Sequence, residues 1–357
     1  MKPIKIAILS CNHGHAKSYF GLAYDPKFEL VGVSIEPEYK GKISLLDSIP
    51  NVPKYDSDEE LYKNHHDLEA VIIGSANIKH AEQTITAAKK GLHIFSMKVP
   101  TFDMDEYDQM IEAVESAGVI AQVELEMREH AEIYRVKELI SSGELGKVLS
   151  VTATNFSHNP VSWRPWQADP EQSYGKRVPL GPEYNLFRGG ALADHPHIFD
   201  MVRFVLDTDF ESVYAEVAPN IRDVETEDLI YVIGKLKNGA VFSLDPSYAS
   251  TENKVSIMEN WERHPKPVEV TLTVHGEKGS IIADVYGKRA YHNGLPDGRY
   301  LVKYLGYKGS INKMMDQFYN CIRKGQKPVV GLREHRRTIE VINAAYESLN
   351  TRKPVKI

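Results

Sequence analysis

The stretch Gly189-Gly190-Ala191-Leu192-Ala193-Asp194-His195-Pro196-His197-Ile198-Phe199-Asp200 gathers the residue types that move protons. Two glycines release the backbone, and one acid and two imidazoles follow in quick succession. The apolar-periodic run over 198–206 predicts a helix over 194–206. A helix that starts near Asp194 sets Asp194 and His197 at i and i+3 on one face, and His197 and Asp200 likewise. A carboxylate beside an imidazole near a helix N-terminus suits proton transfer, because it orients the ring and supports its charged form. The structural alternative is an N-cap aspartate beside histidines that pack or face solvent.

Such residues need a frame. The first part of the chain alternates apolar strands, expected over 4–9, 28–35, 70–74, 93–96 and 119–123, with amphipathic helices over 79–90 and 104–116. That alternation predicts a parallel sheet with right-handed crossovers. Ligands of such a sheet bind beyond the carboxyl ends of its strands, near the switch point. Residues 10–15, 75–80 and 97–100 then surround one crevice. A dinucleotide fold usually shows G-x-G-x-x-G after its first strand, so that backbone amides approach the diphosphate. This chain has Ser10-Cys11-Asn12-His13-Gly14-His15, with one glycine. Asn12 tolerates positive φ and is the candidate for the missing turn glycine. His13 and His15 are candidates for touching phosphate or substrate; the alternative is a tight turn with no nucleotide. Ile35 holds the position usual for the ribose-binding acid, and Glu36 follows it.

After residue 123 the pattern changes. A helix is expected over 129–142 and a strand over 147–155. Residues 157–183, rich in Trp, Pro, Tyr, Arg and Gly, read as a long functional loop without helical period. Strands are expected over 212–218, 228–235, 240–246, 267–275 and 280–285, with hairpin signals at Lys237-Asn238-Gly239 and Gly276-Glu277-Lys278-Gly279. Helices over 311–324 and 333–349 close the chain. The fold class is therefore an α/β Rossmann-like N-terminal domain, 1–123, plus an α+β C-terminal domain, 124–357, with a large and mainly antiparallel sheet. The final helix is a candidate for packing back on the first domain.

Composition narrows the partners. The chain has 357 residues, and 42% hydrophobic with 26% charged content is that of a soluble globular protein. A net charge of −6 without a basic run argues against nucleic acid and anionic membranes. No apolar stretch approaches the ~20 residues that span a bilayer. The N-terminus runs into a strand with no signal-peptide core. Cys11 and Cys321 are the only cysteines, which fits a reducing, cytoplasmic setting.

Several segments in order resemble the Gfo/Idh/MocA oxidoreductase family, and the resemblance covers nearly the whole chain. Val71-Ile72-Ile73-Gly74-Ser75-Ala76-Asn77-Ile78-Lys79-His80-Ala81 is similar to the family's strand-turn-helix with its motif histidine at His80. Gly91-Leu92-His93-Ile94-Phe95-Ser96-Met97-Lys98-Val99-Pro100 is similar to its G-K-H-V-L-V-E-K-P segment, with Met97 in place of the glutamate. Leu139 to Val148 resembles the helix-to-sheet entry, and His275-Gly276-Glu277-Lys278-Gly279-Ser280 the late G-x-x-G-S hairpin. Asp194 and His197 stand three apart, where four is the family's common spacing.

The resemblance implies an NAD(P)-dependent dehydrogenase acting on a carbinol of a sugar, cyclitol or related polyol. It implies Lys98, Asp194 and His197 as catalytic residues. Carbinol oxidation removes hydride from carbon and a proton from oxygen, so His197 is expected to take the proton, Lys98 to hydrogen-bond the oxygen, and Asp194 to orient the pair. Ser10, Asn12, His13, Gly14, His15, Glu36, Ser75, Asn77, His80 and Lys98 are the expected cofactor residues. NAD is favoured over NADP because Glu36 suits a ribose diol and repels a 2′-phosphate, while Lys40 and Lys42 pull the other way. Arg128, Trp163, Arg164, Trp166, Tyr174 and His195 are the expected substrate residues, with Arg177 and Tyr184 beside them. Two other functions compete. One is a lyase or hydrolase that uses bound NAD, or a metal on Asp194, His195, His197 and His158. The other is a non-catalytic sugar or nucleotide sensor. The strand over 228–235 is apolar on both faces, which favours a covered second face of the sheet, and the resemblance implies a homodimer or homotetramer through that face.

Overall fold

The computed structural model describes residues 2–13, 15–36, 52–157, 169–248, 269–286, 289–293, 299–301 and 306–357. Gly14, Lys40, Lys42, His158, Trp163, Arg164 and Trp166 lie outside the described residues. The chain divides into two compact units. One takes Met1–Glu124 with Tyr307–Arg336; the other takes Leu125–Gly306 with Arg337–Ile357.

In the first unit β1 (Ile4–Leu9), β2 (Phe28–Ser34), β3 (Lys54–Tyr55), β4 (Ala70–Ile73), β5 (His93–Ser96) and β6 (Ala121–Val123) form one parallel sheet, ordered β3-β2-β1-β4-β5-β6. β1 and β4 are apolar runs because both of their faces are buried. The crossovers include α1 (Asp58–Asn64), α2 (His80–Lys89) and α3 (Met104–Ala117). Local chemistry sets their ends. Ser57 caps α1 through Glu60 N; Asp103 caps α3 through Asp105 N and Glu106 N, and Gly118 ends α3 at φ 66°. The element after β1 is a 3-10 helix, Ala16–Tyr24.

The expected run of one domain from 124 to the C-terminus is interrupted. Residues 307–336 belong to the first unit: the penultimate helix, Gly306–Lys324, returns to it, and the first turn of the last helix, where His335 meets Tyr107, returns with it. The cause is the apolar stripe of the penultimate helix: Ile311, Met314, Met315 and Phe318 complete the core formed by Ile4, Ile6, Ile8, Ile72 and Phe95.

In the second unit α4 (Ala131–Ser141) precedes β7 (Val148–Phe156). The long-loop expectation over 157–183 is corrected: its described part holds α5 (Pro170–Tyr174), which Asp169 caps, and the start of a hairpin, β8 (Pro179–Gly181) and β9 (Tyr184–Phe187). The helix expected over 194–206 is also corrected. α6 (Ala191–Asp194) stops, and α7 (His197–Leu206) starts afresh. His195 takes φ −111°, ψ 51° ahead of Pro196, whose ring disfavours helical geometry in the residue before it.

β10 (Phe210–Val217), β11 (Ile230–Leu236), β12 (Val241–Asp245), β13 (Glu269–Gly276), β14 (Gly279–Asp284), β15 (Arg289–Asn293), β16 (Arg299–Leu301) and β17 (Val355–Lys356) join β7 in one nine-stranded sheet. Its order is β16-β15-β14-β13-β7-β12-β11-β10-β17, antiparallel except for β7 beside β12. Two helices follow β16 in sequence: α8 (Gly306–Lys324), already placed with the first unit, and α9 (Leu332–Thr351), which counts with the second from Arg337 on. Ile230, Val232, Phe242 and Leu244 are buried on one side of the sheet; Tyr231 and Ile233 and Val241 on the other are 46%, 45% and 49% exposed. The two-sided apolarity of the strand over 228–235 thus appears as one packed face and one open face.

Candidate functional site

In the first unit the loop after β1 closes on itself through side chains. Ser10 takes φ 63°, the left-handed geometry expected of Asn12. Its amide donates to Ser34 Oγ at 3.1 Å, its own Oγ accepts from Asn12 N at 3.2 Å, and its hydroxyl donates to Glu36 Oε2 at 2.7 Å. His13 N donates to Gly74 O at 2.8 Å, and His13 Nδ1 accepts from His15 N at 3.1 Å. The loop lies so close to β4 that a Cβ on Gly74 would stand 2.7 Å from Ser10 O.

His15 Nδ1 lies 3.0 Å from Glu124 Oε2, and Tyr19 donates its hydroxyl to Glu124 Oε1 at 2.8 Å. Burial opposes the charge on Glu124, but His15, Tyr19 and Lys98 outweigh it and hold the carboxyl below its usual range. Lys98, just after β5, is buried. His80 ties two turns together: Nδ1 is 2.8 Å from Val99 O and Nε2 is 2.9 Å from Ser75 O. Burial drives its pKa down although both carbonyls favour the charged ring. Ser75 donates its hydroxyl to Gln83 Oε1 at 2.6 Å, and Gln83 Nε2 donates to Asp58 Oδ2 at 2.8 Å. Asn77 opens the 3-10 turn Asn77–Lys79 that leads into α2.

Beyond β2 a cleft of about 360 Å³ is lined by Ser34, Glu36, Asp58, Lys79 and Gln83, among others. Lys79 Nζ reaches Glu36 Oε1 at 3.3 Å. Carboxylates at the end of the second strand are what a ribose diol requires, so these residues fit the adenosine end of a dinucleotide.

In the second unit the break at Pro196 puts Asp194 on α6 and His197 on α7. Glu126 Oε2 lies 3.6 Å from His197 Nε2, and both side chains are buried. Asp194 Oδ2 lies 3.8 Å from His195 Nε2. Asp200, expected beside His197, instead takes Arg128 in a buried two-point bond: Nε to Oδ2 at 2.6 Å and Nη2 to Oδ1 at 2.5 Å. The same guanidinium lies 4.9 Å from the Phe204 ring centre.

Two other residues expected to meet substrate, Tyr174 and His195, are turned inward. Tyr174 is buried, donates its hydroxyl to Asn343 Oδ1 at 2.9 Å and packs edge-on to Tyr346. His195 is buried with Nδ1 3.0 Å from Pro246 O and Nε2 3.0 Å from Ser157 Oγ. A carbonyl only accepts, so Nδ1 carries a proton. A metal on that ring would break one of these bonds. Arg177 pairs with Glu225 at 2.5 Å across an exposed surface, and Tyr184 donates to Glu216.

Sequence reasoning missed Glu124, Glu126, Asp58 and Gln83. The alternation Glu124-Leu125-Glu126-Met127-Arg128 at the carboxyl end of β6 was the available signal. Asp58 was hidden by its second role in the first turn of a capped helix.

The oxidoreductase-family description "NAD-binding Rossmann fold" matches residues 15–125, and that family's "C-terminal alpha/beta domain" matches 137–357. The myo-inositol 2-dehydrogenase of Thermotoga maritima is 25% identical over 317 residues, 84% of each chain. The D-xylose 1-dehydrogenase (NADP(+)) 2 of Haloferax volcanii is 25% identical over 291 residues, 81% of each. The WlbA dehydrogenase of Bordetella pertussis, solved with NADH and UDP-GlcNAcA, has the same fold. It superposes with a TM-score of 0.76 at 20% identity over 99% of each chain.

Proposed function

The chain belongs to the Gfo/Idh/MocA family of oxidoreductases, and on that premise we propose that it oxidises a carbinol of a sugar, cyclitol or related polyol. It is an NAD(P)-dependent enzyme, and the relatives named for inositol and xylose support the polyol class. The observation that carries the reading is the buried imidazole of His197 with a carboxylate, Glu126, at 3.6 Å. A base for an alcohol proton must become charged in the act, and a nearby carboxylate supports that charge.

When bound, the nicotinamide supplies the acceptor for hydride. His197 takes the hydroxyl proton. Lys98 hydrogen-bonds the same oxygen and stabilises its developing charge. Asp194 orients the acid–base group. Glu36 and Asp58 hold the ribose diol, and the turn from Ser10 to His15 meets the diphosphate. NAD is favoured, because Glu36, Asp56, Asp58, Glu59 and Glu82 line the cleft against the single cation Lys79 among its lining residues. A 2′-phosphate would be repelled there. The open sheet face with Tyr231, Ile233 and Val241 supports a homodimer or homotetramer. Among the described residues no helix is long and apolar enough to cross a membrane.

The test mixes the purified protein with NAD⁺ or NADP⁺ and, separately, myo-inositol, D-xylose and other polyols. Near-ultraviolet absorbance of reduced nicotinamide is expected to rise with at least one of them. Measurable cofactor binding without any rise across the panel would sink the dehydrogenase reading.

A further inference from the structure

The segment that carries Asp194, His195 and His197 is anchored by a side chain outside every motif. Glu227 is fully buried just before β11. Its main-chain oxygen accepts from Ala191 N at 2.9 Å. Its Oε1 accepts from Leu192 N at 3.1 Å and from the Tyr346 hydroxyl at 2.7 Å. That hydroxyl in turn accepts from Gly189 N at 3.1 Å. The two strands of chain approach so closely that a Cβ on Gly190 would stand 2.1 Å from Glu227 O. The glycine admits the contact, and the carboxyl fastens it.

The anchor matters because α6 is short. A single turn of helix does not hold itself in water. Pro196 separates it from α7, so its position depends on tethers from outside. Oε2 of Glu227 is buried with no hydrogen-bond partner among the described residues. A bare, buried, ionised oxygen is costly. A proton on Oε2 removes that cost and leaves Oε1 free to accept both bonds. Burial acts in the same direction and pushes the carboxyl up to about 7.

We propose that Glu227 is a positioning residue for proton transfer: through Leu192 N and Tyr346 it fixes the turn ending at Asp194, and so sets where Asp194 and His197 meet the substrate carbinol. The proposal rests on the polyol-dehydrogenase reading above. In the full-length protein, Glu227→Ala removes both bonds, whereas Glu227→Gln keeps an oxygen that accepts them. Two readouts separate the questions: steady-state kinetics with NAD⁺ and whichever of myo-inositol or D-xylose the wild type oxidises, and hydrogen exchange of the peptide over 189–197.

Glu227→Ala is expected to lower kcat about 10- to 100-fold while KM and the NADH dissociation constant stay within about 3-fold. Exchange over 189–197 should rise about 10-fold or more. Glu227→Gln should restore kcat and protection to within about 3-fold of wild type. If Glu227→Ala does not fold, Tyr346→Phe carries the test, with an expected loss of about 3- to 10-fold in kcat and faster exchange of the same peptide. Wild-type kcat and protection in Glu227→Ala, or in Tyr346→Phe where that variant stands in, overturn the proposal. So does a folded Glu227→Gln as impaired as Glu227→Ala. A wild type inactive on every polyol would defeat the dehydrogenase reading, while the exchange comparison still decides the tether.

Discussion

In the loop after β1, side chains do work that glycines do in most dinucleotide folds. In the segment after Arg188, glycines do work that side chains could not. Ser10 adopts φ 63° without being glycine, and its hydroxyl, Ser34, Glu36 and His13 close the turn in place of free backbone. Gly190 does the reverse, because any side chain there would run into Glu227. A turn with few glycines can therefore close on hydroxyls and an imidazole that take up its amides. Retained glycines mark instead where two pieces of backbone must touch.

Four measurements press on this contrast. The largest effect is expected at Arg128. It was expected to touch substrate, but it is locked on Asp200. Arg128→Ala strands a buried carboxylate and should cost about 3–5 kcal/mol of stability, read as a lower denaturant midpoint. A stable variant with only a raised KM would return the arginine to the substrate.

Next come the proton-handling groups. Lys98→Ala and His197→Ala should each lower turnover about 100-fold or more with the fold intact. Near-normal turnover in both purified variants would remove the mechanism, and would leave the loop chemistry of the first unit unconnected to catalysis.

The third concerns pH. The folded-state pKa of Glu227 is raised, so the folded protein holds this proton more tightly than the unfolded chain does. The linked stability is present below the ordinary glutamate range and is lost as pH rises towards about 7. Glu227→Gln lacks that loss. Its stability relative to wild type should therefore improve by about 1–3 kcal/mol between pH 4 and pH 8, measured by urea unfolding. A difference independent of pH would show that Glu227 titrates alike in the folded and unfolded chain.

The smallest effect is cofactor choice. NAD⁺ is expected to bind about 10-fold tighter than NADP⁺ in one buffer, about 1.4 kcal/mol. Tighter NADP⁺ would mean that Glu36 and Asp58 do not meet the ribose.

The frame was legible because it rests on local chemistry. Apolar runs such as Ile4 to Leu9 and His93 to Ser96 lie in strands, and the helix expected over 104–116 lies at Met104–Ala117 between Asp103 and Gly118. The resemblance to the oxidoreductase family rested on the same short stretches. Less legible was the helix break at Pro196, although the proline itself signalled it. A strong apolar stripe over 198–206 masked the signal.

Side-chain partners were beyond a linear reading. An acid within 3.6 Å of His197 is Glu126, far along the chain, which no local spacing pointed to. Tyr174 and His195 have the chemistry to bind a sugar, yet the structure spends that chemistry on Asn343, Ser157 and Pro246. Periodicity and caps are settled over a few neighbouring residues, so the sequence by itself determined the elements, their order and the residue types on hand. Which carboxylate meets which imidazole depends on burial, since a polar group removed from water must take the partner that folding brings to it. Only the tertiary structure decided that.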